Sequence, residues 1–135
     1  AVEVLQTQKM MTYHSKPSEC MRHDESRIQA ACVKWFRLQY PHFAPNLFAV
    51  PNGGQRGKFE AKIMKGEGVT AGVADLLLLL PSKGYHGLCI EMKTTKGRQR
   101  DTQKAWQKSV ESVGYKYILC RSIESFIAQV NDYLR

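Results

Sequence analysis

Glu91 and Lys93 stand two apart in the segment Leu88-Cys89-Ile90-Glu91-Met92-Lys93, and Asp75 opens the apolar run Leu76-Leu77-Leu78-Leu79-Leu80. Residues two apart on a strand leave the same face, so a carboxylate and an ammonium point together while Met92 points away. The turn Pro81-Ser82-Lys83-Gly84 between the two runs predicts an antiparallel hairpin, which brings Asp75 beside Glu91 at one end of the sheet. Two carboxylates held that close repel each other unless a cation sits between them, and hard divalent ions that take oxygen ligands, Mg²⁺ or Mn²⁺, suit such a place. A water acidified there and positioned by Lys93 is a nucleophile for a phosphodiester, with ion and lysine offsetting the charge on the phosphorane oxygens. The bland alternative is a cross-strand salt bridge between Lys93 and Glu91, with Asp75 capping a turn. Glu-x-Lys alone is too short a pattern to decide. Separate requirements met together favour the chemistry: an acid on the preceding apolar strand, a hairpin, and a basic run of Lys96, Arg98, Arg100 and Lys104 directly after Lys93.

The elements that must position these residues are read from periodicity. Residues 1–17 are mixed and polar and are expected to form a tail, with one domain over 18–135. From Ser18 to Tyr40 the apolar positions Met21, Ile28, Cys32, Trp35 and Phe36 recur at helical spacing, and Pro41 ends the helix. Leu47 to Val50 reads as a strand before the loop Pro51-Asn52-Gly53-Gly54, and Phe59 and Ile63 suggest a short helix stopped by Gly66 and Gly68. Leu76 to Leu80 reads as a central strand covered on both faces, paired with Gly87 to Lys93. Asp101 or Thr102 is expected to cap a helix burying Trp106, Val110 and Val113, with Gly114 in the left-handed terminating position. A strand from Tyr115 to Cys120 follows, then a helix capped by Ser122 that buries Phe126, Ile127, Val130 and Leu134. The order is αβαββαβα, and a crossover after the hairpin makes the last two strands parallel: an α/β fold with a mixed sheet flanked by helices.

Composition agrees with a polyanionic partner. The 135 residues carry 20 Lys+Arg against 12 Asp+Glu, a formal charge of +8, with a pI near 9.5, which points first to nucleic acid. No apolar run is long enough to span a membrane. Cys20, Cys32, Cys89 and Cys120 are irregularly spaced and contain no Cys-x-x-Cys unit, and Cys20-x-x-His23 has no second pair to complete a zinc site. Buried free thiols in a reducing interior are expected, and with no signal-peptide pattern at the start the expected setting is the cytoplasm of a bacterial or phage-infected cell, or otherwise intracellular.

These motifs together make the sequence resemble the virus-type replication-repair nuclease (VRR-Nuc) domain of the PD-(D/E)xK nuclease superfamily. The resemblance runs over about residues 24–121: Glu25 followed by Ile28-Gln29, Pro51-Asn52-Gly53-Gly54, Gly72-Val73-Ala74-Asp75-Leu76, Glu91-Met92-Lys93, then Gln103 and Trp106 ahead of Gly114-Tyr115. Ala74 departs from it, standing where the family usually has proline; proline would stiffen the strand entry and contributes no ligand. The resemblance implies a restriction-endonuclease-like core, divalent-metal hydrolysis of phosphodiesters, and a role in DNA repair, recombination or phage replication. It adds Glu25 to Asp75, Glu91 and the Met92 backbone carbonyl as candidate metal ligands and places Gln103 near the site.

Glu25 also falls at the centre of the stripe of Met21, Ile28, Cys32 and Phe36. Its alternative is a first-turn acid in a helix beginning at Asp24. Gln103 shares a face with Trp106 and Val110, and its alternative is a buried amide bonded to backbone. Asn52, Arg56, Lys96, Arg98, Arg100, Gln103 and Lys104 are the candidate DNA contacts, made to the backbone so that DNA shape selects the cut. Trp35, Trp106 and Phe126 are assigned to the core, and His14, His23, His42 and His86 form no cluster. The expected activity is that of an endonuclease for four-way junctions or other branched DNA, acting as a homodimer because two opposed cuts need two sites. A non-catalytic nucleic-acid-binding module on the same fold is the rival.

Overall fold

A computed structural model describes residues 17–51 and 57–135, with side chains from Asp24 onward in the first helix. The helices are α1 (Pro17–Gln39), α2 (Lys58–Gly66), α3 (Asp101–Ser112) and α4 (Ile123–Leu134), and the strands are β1 (Leu47–Ala49), β2 (Leu76–Leu78), β3 (Leu88–Met92) and β4 (Lys116–Cys120). The α/β order expected from the sequence is therefore the one observed, with a 3₁₀ helix (Pro41–Asn46) added between α1 and β1. Pro41 cannot continue the α-helical ladder, so the chain tightens at that point.

The strands form one sheet in the order β1-β2-β3-β4. The pairs β1–β2 and β2–β3 are antiparallel, whereas β3–β4 is parallel across the α3 crossover. Even-numbered residues on β2, β3 and β4 (Leu76, Leu78, Leu88, Ile90, Met92, Ile118, Cys120) pack with Cys32 and Phe36 of α1 and Phe126, Val130 and Tyr133 of α4 into one apolar core. Odd-numbered residues face the other way, towards α3. Every residue of β3 is buried: it lies between β2 and β4, α1 packs on it, and Gln103 of α3 reaches Glu91 on the opposite face.

Local signals account for most boundaries. Ser122 caps α4 by accepting from the Ser125 amide, and Gly114 ends α3 at φ +95°, in the left-handed region. Cys32, Cys89 and Cys120 are buried free thiols, as expected. Among the described residues no helix is long and apolar enough to cross a membrane.

Some expectations are corrected. β2 stops at Leu78, and Leu79 is 53% exposed, because β1 starts at Leu47, opposite Leu78, and the residue before it, Asn46, is the end of the 3₁₀ helix; the five-leucine run is not covered on both faces throughout. Val113 is 62% exposed: it is the C-cap residue of α3, with non-helical dihedrals that turn it off the buried stripe. The N-cap of α3 is Arg100, neither Asp101 nor Thr102. Since α1 starts at Pro17, Glu25 lies well inside it, which removes the reading of Glu25 as a first-turn acid.

Candidate active site

The hairpin register fixes the first meeting. Leu76 pairs with Ile90, so one step further along the antiparallel ladder Asp75 stands opposite Glu91. Asp75 Oδ2 accepts a hydrogen bond from the Met92 amide at 2.7 Å, which anchors this carboxylate at the strand end and sets the Met92 main chain beside it. The two carboxyl groups are near enough for the Asp75 charge to act on Glu91.

Glu91 is only 1% exposed, and a carboxylate taken that far from water needs partners. Gln103 Nε2 donates to Oε1 at 2.8 Å, the Tyr117 hydroxyl donates to Oε2 at 2.8 Å, and Lys93 Nζ lies 3.7 Å from Oε1. Gln103 is the one fully buried residue on α3, and its Oε1 accepts from the Arg100 amide at 2.8 Å, so the same side chain closes the helix start and reaches the site. It is thus bonded to backbone and to Glu91 at once. Gly72 helps to place it: the backbone there passes so close to Thr102 that a Cβ would sit 2.2 Å from the Thr102 carbonyl oxygen.

Burial first, and then the neighbouring Asp75 charge, push the Glu91 carboxyl up to about 7, against the lowering effects of Tyr117 and Lys93. The Tyr117 phenol is pushed above its ordinary range, first by burial and then by the Glu91 charge, so it stays a protonated donor. With the folded-state value of Glu91 above its ordinary value of 4.5, the folded protein holds more protons than the unfolded chain between those pH values. Its metal-free form is therefore expected to be most stable below about pH 4.5 with respect to this group, and to lose that stability progressively as pH rises through about 7. Chemical denaturation in chelator at several pH values checks this, with Glu91→Gln expected to flatten the dependence.

The donor set suits a hard divalent cation: two carboxylates facing each other across the hairpin, one of them raised by burial and by the other's charge, at a strand end with the Met92 main chain alongside. Among the described residues no three His, Cys, Asp or Glu side chains come together as a metal-holding group; Glu25 is half-buried inside α1. Lys96, Arg98, Arg100 and Lys104 follow Lys93; Arg98, Arg100 and Lys104 line the loop and helix start after it, and Arg121 Nη1 donates to the loop carbonyls of Thr94 and Gly97 at 2.6 Å each. Asn52 and Arg56 lie outside the described residues. His42 and His86 are exposed and take no part. Trp106 is half-buried against Tyr117, while Trp35 packs edge-on against Phe126.

Sequence reasoning missed Tyr117 and the residue that contacts it, Gln99. Strand alternation places Tyr117 on either face depending on the parallel register, and Gln99 sits in a loop with no period. The usable signal is a polar-tipped aromatic within an otherwise apolar strand.

A mixed four-stranded sheet between helices, with an acidic pair and a lysine at the end of its central hairpin, defines a nuclease-type domain of the restriction-endonuclease-like class. The chain belongs to the VRR-NUC domain family, whose model matches residues 23–124. A solved structure described as a "VRR_NUC domain protein" is similar to it with a TM-score of 0.72 and 24% identity, covering 82% of this chain and 87% of that one; this likeness bears on the fold. No curated protein matches the sequence.

Proposed function

We propose that the protein is a metal-dependent, structure-selective DNA endonuclease that hydrolyses phosphodiesters in Holliday junctions or other branched DNA. The observation that carries the reading is Asp75 opposite the buried Glu91 across the hairpin, with the Lys93 ammonium 3.7 Å from Glu91. Asp75, Glu91 and the Met92 carbonyl would hold Mg²⁺ or Mn²⁺, which supplies a Lewis acid for the scissile phosphate and an acidified water. Lys93 holds the attacking water in place and offsets charge on the phosphate oxygens, helped by the low dielectric around its buried side chain. Gln103 and Tyr117 keep Glu91 aimed. Glu25, carried by α1, is proposed as a further ligand of the same ion.

Lys96, Arg98, Arg100 and Lys104 are proposed to meet the DNA backbone beside the site, with Asn52 and Arg56 contributing as well. Contacts of this kind position the duplex without reading bases, so DNA shape would choose the cut. A two-fold homodimer would place two such sites on one junction, as paired incision requires.

The test is cleavage of branched and linear duplex DNA in Mg²⁺ or Mn²⁺, with and without chelator, alongside sedimentation. Metal-dependent cutting of junctions by a dimer is the expected result. Binding without cleavage in either metal would make the protein a non-catalytic DNA-binding module, and a monomer that leaves single nicks in a cruciform plasmid would remove the dimer. Affinity should also fall steeply with salt. Neutralising any one of the four basic residues should reduce the log–log slope by about 0.9 for each phosphate that the residue had neutralised; an unchanged slope would move the DNA path elsewhere.

A further inference from the structure

Tyr117 lies on β4 in register with Cys89, on the sheet face that carries Glu91, and Trp106 of α3 packs on its ring with centroids 6.2 Å apart. A tyrosine hydroxyl has a single proton to donate, and here a second residue decides where it goes. Gln99 Nε2 donates to the Tyr117 oxygen at 3.2 Å and to Gln107 Oε1 at 2.8 Å. With Gln99 on its acceptor side, the hydroxyl turns its proton to Glu91 Oε2 at 2.8 Å, and each bond in such a chain polarises the next. Gln103 holds the other oxygen, Oε1, at 2.8 Å. One fixed donor on each oxygen sets the carboxyl plane and leaves the remaining lone pairs for a cation. Without the hydroxyl, the Oε2 side loses its fixed donor, and Gln103 and the longer Lys93 contact, both on Oε1, are left to restrain a terminal torsion that is intrinsically soft.

We propose that Tyr117, aimed by Gln99, is a positioning residue that holds Glu91 in the orientation that binds a divalent cation. Gln99 shares a loop with Lys96, Arg98 and Arg100, so the same contact ties the metal ligand to the segment proposed to meet DNA. The inference rests on the metal-dependent reading above. The competing account is that Tyr117 merely satisfies a buried carboxylate and serves stability alone.

Mn²⁺ titration of the whole chain, by calorimetry and by the electron-spin signal of free Mn²⁺, separates the two. Tyr117→Phe removes the hydroxyl and keeps the ring packed on Trp106. It is expected to lower Mn²⁺ affinity by about tenfold or more, with cleavage recovering towards the unsubstituted rate as Mn²⁺ is raised. Gln99→Ala should lower affinity in the same direction by less, and the double variant should match Tyr117→Phe within about twofold, because both act through one hydroxyl. Unchanged Mn²⁺ affinity in Tyr117→Phe overturns the proposal, whether or not its melting temperature falls, and so do multiplicative losses in the double variant. If Tyr117→Phe does not fold, Gln99→Ala decides, and unchanged affinity there is equally fatal. An unsubstituted protein that neither binds Mn²⁺ nor cuts DNA removes the metal-dependent reading and this inference with it. One that cuts normally while both variants bind Mn²⁺ unchanged removes this inference alone.

Discussion

Asp75→Ala and Glu91→Ala proteins should each lose DNA cleavage by roughly three orders of magnitude or more while still binding DNA, because they lose proposed ligands and keep the basic loop. The two are not equivalent in their side effects. Glu91→Ala leaves the Gln103 amide and the Tyr117 hydroxyl without their acceptor in a buried place, so a loss of stability is expected with the loss of activity. Glu91→Gln keeps an acceptor and the volume and is the better control. Lys93→Ala should lose cleavage yet still bind Mn²⁺, since the ammonium is assigned to the water and the phosphate rather than to ligation. Gel-shift, calorimetric and cleavage measurements on the four proteins form one set. Near-normal cutting by Glu91→Gln would sink the site assignment, and loss of Mn²⁺ binding in Lys93→Ala would give that lysine a structural role.

Gly72→Ala is expected to be the most damaging substitution outside the site. Its φ of +83° lies where side chains are rarely accommodated, and the new Cβ would meet the Thr102 carbonyl oxygen at 2.2 Å and the Gln103 amide nitrogen at 2.9 Å. A left-handed residue costs about 1–2 kcal/mol and forced overpacking about 1–3 kcal/mol more, so a loss of roughly 3 kcal/mol or greater is expected in denaturant titration. The obstructing atoms are helix backbone, so relief requires the start of α3 to move. Gln103 would move with it and loosen its bond to Glu91. Cleavage by the fraction that remains folded should therefore fall as well. Gly66→Ala is the matched control, since its Cβ would meet nothing within 4 Å; it should be neutral or slightly stabilising. Equal stability of the two variants would mean that the 72–102 approach is not tight in solution.

The hairpin was the most readable part of the molecule, because two apolar runs, a turn and strand alternation together prescribe that Asp75 and Glu91 meet. Helical stripes were readable in direction but not in extent. Trp106, Val110 and Val113 share a stripe, yet periodicity carries no information about where α3 turns out of helical geometry, and Val113 falls just past that point. The leucine run shows the same limit: five apolar residues look alike, but only the three beside β1 find a partner strand. Glu25 falls at the centre of its helical stripe, and the structure places it half-buried inside α1. Tyr117 was out of reach for a different reason. Its face depends on the register between β3 and β4, set by how the crossover packs, and no local pattern records that.

The origin of the four groups around Glu91 also bears on the order in which the site comes together as the chain folds. Asp75 faces Glu91 across one hairpin, a local closure of the microsecond class, whereas Tyr117 reaches it only after the crossover has docked and the parallel pair has formed, 26 residues away in sequence. The two acids thus confront one another before the phenol that restrains Glu91 arrives. Their mutual repulsion then falls on an early, partly hydrated hairpin as well as on the finished protein, and protonation or a bound divalent ion is expected to act on the rate of refolding and not solely on the final stability.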